Sequence, residues 1–276
     1  MNSKNSILLV DPDFDPANAA NCILLVKITA DSFSYAIIES DSRQLKAVYD
    51  HQECGDVATE LSSRLNTDSY LSFPFKEVKA SVYTEGTIAI PDELFDSENL
   101  NEYAKFFPAA GSNNLYTRSV DNFGFKSIFT LDELITESIN SSLNNCALFD
   151  HHAPVLAMVG DKSSNALTLD FTAGSFNALY TNSGKLIFQK YFETDNSEEF
   201  NYYLLFIINQ LKIISEETEV FISGIIHQDD AYYNCIAKYF KSIAFSAAPG
   251  MDAENKILDD MPAHYYSSLL ALDLCE

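Results

Sequence analysis

A short segment of this chain occurs twice, and this repeat restricts the possible folds more than any other feature. Residues 28–33 read Ile-Thr-Ala-Asp-Ser-Phe and residues 171–176 read Phe-Thr-Ala-Gly-Ser-Phe, so four of six positions are identical at an offset of 143. Such self-similarity indicates one supersecondary unit used twice. In each copy one apolar run precedes the segment and two follow it, with turn-forming residues between the runs. The pattern predicts a three-strand meander at the start of each half of the chain.

The segments after the two meanders predict the same order of elements in both halves. In the second half, apolar residues at helical spacing over 200–214 predict a helix, 220–222 a buried strand and 231–240 another helix. In the first half, residues 57–65 predict the corresponding helix and 78–83 the corresponding strand. Each half is therefore expected to form one lobe in which helices pack against a sheet.

Extra material interrupts the first half. Between its last strand and the second meander, the pattern predicts an inserted subdomain over about 87–145, with helices at 99–107 and 132–143 and strands at 87–91, 115–120 and 125–129. Polar residues and a glycine place the lobe boundary near Gly160–Ser164. The first lobe with its insertion is expected to span 1–160 and the second 161–276, with a closing helix over Pro262–Leu274.

Composition excludes several classes of function. Seventeen basic against 40 acidic residues give a formal charge of -23, which repels nucleic acid and anionic lipid. The five cysteines are widely spaced and include no C-x-x-C pair, which is typical of a reducing compartment. The first apolar run, Ile7–Val10, is too short for a signal peptide, and no run approaches the length needed to cross a bilayer. We therefore expect a cytoplasmic protein that does not insert into membranes.

This order of elements resembles the duplicated ribonuclease-H-like lobes of the actin-like ATPase superfamily. The phrases at 87–95, 262–266 and 274–276 are similar to those of an uncharacterised bacterial family assigned that fold. Within the superfamily, the chain is most similar to the cytoplasmic actin-like proteins of type IV pilus and type II secretion machines. The resemblance implies an α/β (α+β) protein of two lobes, with a subdomain inserted in the first and the paired turns facing each other across a cleft. By analogy, it also implies a function that depends on a protein partner.

The resemblance also implies where ATP and magnesium would bind. In such proteins the first hairpin turn of each lobe surrounds phosphate with backbone N–H groups, for which glycine is well suited. The positions that match these turns and the adenosine-binding loop are Thr29, Asp31, Ser32, Asp170, Thr172, Gly174, Ser175 and Gly224.

The sequence departs from that nucleotide-binding pattern at several positions. Lys27 stands where the pattern has a magnesium-holding aspartate, and the first turn contains no glycine. In the second turn Gly174 is displaced from its usual place, and the glycine pair of the adenosine loop is reduced to Gly224. Each of these residues also has a structural interpretation, as a turn former or as a strand-end carboxylate. The pattern favours a retained fold with an eroded nucleotide pocket.

The run Asp150-His151-His152 has an alternative, catalytic interpretation, because it resembles the signature of the metal-dependent DHH phosphoesterases. Carboxylates and imidazoles together hold manganese, and Asp11, Asp13 and Asp15 supply a D-x-D spacing. The other histidines and the glycine-rich segment of that family are missing. The structural interpretation is two surface histidines that open a helix before Pro154.

Three hypotheses remain from the sequence. The first is a non-catalytic or weakly nucleotide-binding scaffold that acts through a protein partner at the inserted subdomain or in the cleft. The second is an ATP-binding switch that uses Asp170, Gly174 and Gly224, and the third is the metal-dependent phosphohydrolase. No residue is assigned a catalytic role, no metal ligand is assigned, and no feature of the sequence specifies the oligomeric state.

Overall fold

The described residues form three β-sheets with helices packed against them. The computed structural model describes residues 5–107, 115–159, 165–250, 256–258 and 261–276, so the predicted boundary at 160–164 lies outside the described residues. The strands are β1 (Ser6–Val10), β2 (Cys22–Ile28), β3 (Phe33–Glu39), β4 (Leu45–His51), β5 (Glu77–Val82), β6 (Thr87–Pro91), β7 (Leu115–Val120), β8 (Phe125–Thr130), β9 (Ala147–Asp150), β10 (Asn165–Phe171), β11 (Ser175–Asn182), β12 (Lys185–Glu193), β13 (Thr218–Gly224) and β14 (Ile243–Phe245). The α-helices are α1 (Val57–Thr67), α2 (Leu100–Tyr103), α3 (Glu133–Ser142), α4 (Ala153–Met158), α5 (Ser197–Leu211), α6 (Ala231–Ala237) and α7 (Ser267–Ala271).

The first sheet has the order β1-β4-β3-β2-β5-β9. The predicted meander of β2, β3 and β4 is antiparallel, whereas β5 and β9 run parallel to β2. Strand β2 is buried on both faces of the sheet. Successive side chains of a strand point to opposite sides, so they enter two different clusters. Leu24 and Val26 pack in the cluster that contains α1 and α3, and Ile23 and Leu25 pack in the cluster that contains α4 and α7. This explains why the strand reads as a continuous apolar run.

The second sheet repeats the topology of the first. Its order is β12-β11-β10-β13-β14, and β13 and β14 run parallel to β10. When β1 is left out, the order of the first sheet is β4-β3-β2-β5-β9, which matches it strand for strand. The repeated segment forms the same turn in both copies, since Thr29 N–H donates to Ser32 O (3.0 Å) and Thr172 N–H donates to Ser175 O (2.9 Å). The two-lobed fold with ribonuclease-H-like sheets, predicted from this repeat, is confirmed.

The inserted segment forms its own three-stranded antiparallel sheet. Its order is β6-β8-β7, within the described residues 87–107 and 115–130, and short helical turns lie between β6 and β7. The helix that follows, α3, packs with α1 against the first sheet. The C-terminal segment also returns to the first sheet, where Leu269 and Leu272 lie in the same cluster as Leu25. The helices on both faces of the first sheet thus come from distant parts of the chain.

Several helices are shorter than the sequence analysis predicted. The predicted helix over 99–107 contains α-helix only at Leu100–Tyr103, and the closing helix is limited to Ser267–Ala271. The backbone before the closing helix forms a turn in which Tyr265 N–H donates to Pro262 O (3.0 Å), and His264 O of this turn accepts a hydrogen bond from Gly224 N–H (2.8 Å). Among the helices described, none is long and apolar enough to cross a bilayer.

Candidate functional site

The paired hairpin turns of the two lobes meet, and one aspartate joins them. Asp31, in the turn between β2 and β3, projects its carboxylate into the turn between β10 and β11. There it accepts hydrogen bonds from Gly174 N–H (2.8 Å), Thr172 Oγ1 (2.9 Å) and Ser175 Oγ (3.1 Å). Thr29 Oγ1 donates a fourth bond to Asp31 from its own turn (2.7 Å). The first turn is therefore docked into the second through a carboxylate.

The second turn gives Asp31 the donors that an anionic ligand would need. Backbone N–H groups and hydroxyls at the edge of a sheet commonly bind phosphate oxygens. A Cβ at Gly174 would lie 3.1 Å from Asp31 Oδ2, so the absence of a side chain there permits the close approach. The carboxylate of Asp31 is therefore the acceptor for these donors in the structure.

A buried ion pair joins the strands that lead into the two turns. Lys27 Nζ lies 2.8 Å from Asp170 Oδ2, and the two side chains are 12% and 3% exposed. Ser223 Oγ donates to the other carboxylate oxygen of Asp170 (2.7 Å), and Lys27 also donates to Ser268 Oγ. A buried carboxylate needs a counter-charge, and here an ammonium group provides it. Lys27, which stands where the family pattern has an aspartate, thus forms an ion pair with Asp170.

Two further contacts close the junction between the turns. Gln52 Oε1 accepts a bond from Ala173 N–H (3.1 Å), and the hydroxyl of Tyr191 accepts one from Ala30 N–H (3.4 Å). The cavity left beside these contacts has a volume of about 20 Å³. Ligand pockets usually measure at least about 300 Å³. In this conformation the junction is too small for a nucleotide.

Burial changes the acidity of one carboxyl group beside the junction. Asp50 lines the same small cavity and is 6% exposed. Burial raises the pKa of Asp50 to about 6, although the hydrogen bond from Gln52 and the charge of Lys27 lower it. The wall of the junction therefore becomes negatively charged as the pH rises through that value.

Gly224 has a structural role at the end of β13. Its φ is 84°, and a Cβ on it would lie 2.0 Å from the carbonyl oxygen of Phe171 on the neighbouring strand. Its N–H is bonded to His264 O. Only glycine fits this contact between β10, β13 and the C-terminal segment. Packing alone therefore explains why position 224 is a glycine, and nucleotide binding is not needed to explain it.

The run Asp150-His151-His152 lies in the interior, so its interpretation as two surface histidines is wrong. His151 and His152 are 5% and 4% exposed, because the inserted sheet and the second lobe both pack against the end of β9. Asp150 accepts bonds from Ser127 Oγ (2.7 Å) and His152 N–H (2.8 Å), and His152 Nδ1 lies 3.0 Å from Asn177 Oδ1. Burial lowers the pKa of both histidines, so they are neutral at neutral pH.

The residues proposed for a metal-dependent phosphohydrolase do not come together. Within the part of the chain that the structure describes, no group of three or more His, Cys, Asp and Glu side chains is placed to hold a metal ion. Asp11 lies at the edge between β1 and β4, where its N–H donates to Lys46 O, and Asp15 caps a short 3-10 helix. The arrangement of these carboxylates does not support a metal centre.

The repeat predicted the two turns but not the side chains that complete their contact. Ser223 was expected only as part of the adenosine-binding loop, and the residues missed by the sequence analysis are Gln52, Tyr191 and Ser268. For Ser223 a signal exists, because it pairs with Asp170 in the second sheet as Ser81 pairs with Lys27 in the first. The other three lie in unrelated segments, and no local pattern marks them.

Two sheets of one topology, in contact at their paired turns, define a protein with an actin-like ATPase fold. Solved structures support this class. A protein from Bacteroides thetaiotaomicron, described as having an actin-like ATPase fold and unknown function, is 17% identical over 95% of this chain and 99% of its own, with a TM-score of 0.74.

The chain belongs to the family described as "Protein of unknown function (DUF3822)", which matches residues 11–243. No curated protein matches it in sequence. Two more distant structures share the fold. The PilM–PilN type IV pilus biogenesis complex is 10% identical over 91% of this chain and 97% of its own (TM-score 0.59). The ethanolamine utilization protein EutJ from Carboxydothermus hydrogenoformans is 7% identical over 97% and 93% (TM-score 0.52).

Proposed function

We propose that this protein is a non-catalytic scaffold, in which the turns that could hold a nucleotide hold each other instead. The observation that carries the proposal is the Asp31 carboxylate on the N–H of Gly174 and the hydroxyls of Thr172 and Ser175. Because Asp31 belongs to the same chain, its carboxylate has a high effective concentration at these donors. A phosphate would have to displace it and also lose its own hydration. Lys27 likewise removes the need for a cation beside Asp170.

A second candidate, the ATP-binding switch, is favoured by one specific feature. The donors of the second turn are intact and already bind an anion, so a nucleotide phosphate that displaced Asp31 would find them in place. In that case the contact between the lobes would be the apo state of a switch, and ATP would open it. The two candidates differ in whether wild-type protein binds ATP with magnesium.

Thermal unfolding with and without millimolar ATP and magnesium separates the two candidates. A ligand at 100 times its dissociation constant adds about 2.7 kcal/mol to the free energy of unfolding, which is easily measured. For the scaffold we expect no shift in wild-type protein. A saturable, magnesium-dependent shift that Asp170→Asn weakens would reject the scaffold and establish the switch. The same measurement is made on Asp31→Ala and on its control Asp41→Ala, which changes an exposed aspartate. A shift with ATP in Asp31→Ala alone would identify the Asp31 carboxylate as the group that competes with the nucleotide phosphate.

The inserted sheet provides a surface for the protein partner. Leu94 and Phe106, in the connection between β6 and β7, are 70% and 72% exposed, and the Tyr103 hydroxyl of the same connection donates to Leu94 O (3.3 Å). Exposed apolar side chains mark interaction sites where they form one patch, and we propose that these two, which lie in one connection of the inserted subdomain, do so. Because the cleft is closed, we place the partner on this sheet. A structural relative, the PilM–PilN assembly, is itself a complex of two proteins.

This partner surface has a direct test. Affinity capture from the native cytoplasm, where we place the protein, is compared for wild type and the double variant Leu94→Ser, Phe106→Ser. Tyr202→Ser with Ile214→Ser is the matched control, because these side chains are 64% and 55% exposed on the second lobe. We expect the first pair alone to abolish capture of a stoichiometric partner. Loss with the control pair, or with neither, would remove the inserted sheet from the proposal. The lobes 1–160 and 161–276 are the proposed units of the scaffold. Of the insertion expected at 87–145, the part up to Thr130 forms the separate sheet, and α3 packs on the first sheet.

A further inference from the structure

A cavity with a volume of about 270 Å³ lies between the inserted sheet, α4 and the C-terminal segment. It is separate from the junction of the two turns. Arg118 of β7 lines it, together with the buried side chains of Phe149 and Leu156. At its mouth are two exposed carboxylates, those of Asp121 and Glu276. The buried carboxylate of Asp150 also lines it, where it already accepts hydrogen bonds from Ser127 Oγ and His152 N–H. The cavity thus combines one cation, two large apolar side chains, a hydrogen-bonded carboxylate and an acidic rim.

The side chain of Arg118 is held in place by the first sheet. Its Nε donates to Leu148 O (2.8 Å), and its guanidinium carbon lies 4.6 Å from the centre of the Phe149 ring. The terminal nitrogens of this guanidinium donate no hydrogen bond to any residue that the structure describes. A guanidinium oriented in this way presents its remaining donors in a fixed plane, which matches the geometry of a carboxylate.

Arg118 is unusual among the arginines of this acidic chain. The sequence has three arginines and 40 acidic residues. Arg43 pairs with Asp273, and Arg64 pairs with Glu60 at 2.9 Å. Arg118 pairs with no carboxylate among the described residues, although burial lowers the pKa of its guanidinium. Within the described part of the chain, no carboxylate therefore offsets the cost of this partial desolvation, and a ligand that brought a carboxylate would do so by forming an ion pair.

We propose that this cavity binds the single carboxylate of a small apolar ligand or of the C-terminal residue of a peptide. The carboxylate would bind Arg118, and an aliphatic side chain would pack against Phe149 and Leu156. The acidic rim of Asp121 and Glu276 selects against phosphates and other polyanions by like-charge repulsion. The volume is slightly below the usual range for drug-sized ligands, which begins at about 300 Å³, and suits one amino-acid-sized group. The proposal does not depend on whether the junction of the turns binds ATP.

The three arginines make the proposal testable by NMR of isotope-labelled protein, because each gives one side-chain Nε–H signal. The probes are N-acetyl-leucine and N-acetyl-leucinamide, which differ only in the carboxylate, and the pentapeptide Ac-Ala-Ala-Ala-Ala-Leu with a free or amidated terminus. We expect the free acids to shift the Arg118 signal saturably, with Arg43 and Arg64 unchanged, and the amides to have no effect. Tighter binding of the pentapeptide would identify a peptide terminus as the source, whereas equal binding would identify a small carboxylate.

Two variants complete the experiment. Arg118→Lys keeps the charge but loses the planar pair of donors, and we expect about a tenfold loss of affinity for the free acids. Asp121→Asn leaves the cavity wall intact and removes one rim charge, so we expect tighter binding. The proposal fails if no free acid shifts the Arg118 signal, if the amides act equally well, or if Arg43 and Arg64 respond in the same way. It also fails if folded Arg118→Lys binds with wild-type affinity.

Discussion

Removal of the Asp31 carboxylate should loosen the contact between the lobes, and its cost can be worked out from the contacts. Asp31→Ala deprives Gly174 N–H, Thr172 Oγ1 and Ser175 Oγ of their acceptor. The hydroxyl of Thr172 retains an alternative acceptor, the carbonyl oxygen of Ser175 (3.3 Å), and the hydroxyl of Ser175 retains Tyr191. The lasting loss is one backbone donor and its charged acceptor, which corresponds to about 1.5–3 kcal/mol of unfolding free energy.

Urea unfolding followed by circular dichroism measures this loss. Asp41→Ala is the matched control, because Asp41 lies in the exposed turn between β3 and β4 and its removal changes the net charge equally. Surface substitutions of this kind usually stay within about 0.5 kcal/mol of wild type. We therefore expect a clear difference between the two variants, although both relieve the same amount of negative charge.

A double-mutant cycle tests whether the loss arises across the lobes. Thr172→Val removes one donor from the second turn, and the cycle with Asp31→Ala should give a coupling energy of at least about 0.5 kcal/mol, since the two side chains share a hydrogen bond. If the two effects add to within the error of the measurement, the Thr172 hydroxyl does not contribute to the contact between the turns. If, in addition, Asp31→Ala is no less stable than Asp41→Ala, the reasoning about an internal phosphate substitute is refuted.

Two further perturbations test the environment of the junction. The raised pKa of Asp50 means that the folded state holds a proton that the unfolded state has lost between about pH 4 and 6, so stability falls as pH rises through that window. Asp50→Asn should therefore exceed wild type by about 3 kcal/mol in urea unfolding at about pH 8 and equal it below about pH 4, and a constant difference would contradict the burial argument. Gly224→Ala should lower the free energy of unfolding, measured by thermal unfolding, by about 3 kcal/mol or more, because the new Cβ would clash with the backbone of Phe171. Gly250→Ala should lower it by only about 1–2 kcal/mol, because Gly250 has a similar φ of 79° but no atom within 4 Å of the new Cβ. Equal losses would show that backbone strain alone explains both glycines.

The sequence carried enough information for the architecture because the signals for it are local. The repeat at 28–33 and 171–176 marks a turn between two strands, and alternation of buried faces explains the apolar run of β2. Helix ends were less predictable. The closing helix was predicted from Pro262, but residues 263–266 form a turn, and His264 O of this turn accepts a hydrogen bond from Gly224 N–H, which lies far away in the sequence.

Burial of the histidines illustrates what a single sequence does not contain. His151 and His152 follow a short strand and precede a proline, which is typical of an exposed helix start. Their environment is set by Ser127 of the inserted sheet and Asn177 of the second lobe, which flank the end of β9 from two sides. Neither contact leaves a trace in the residues beside the histidines.

By itself the sequence determined two lobes of one topology, an insertion in the first, and turns that depart from a phosphate-binding pattern, because strand periodicity and turn chemistry act over a few residues. Tertiary structure alone decided that Asp31 fills the opposite turn and that Lys27 neutralises Asp170, across a separation of 143 residues in each case. It also decided that Arg118 would face a cavity without a described carboxylate partner. Hydrogen bonds and ion pairs form between groups that folding brings within a few ångströms, and sequence distance carries no information about that proximity.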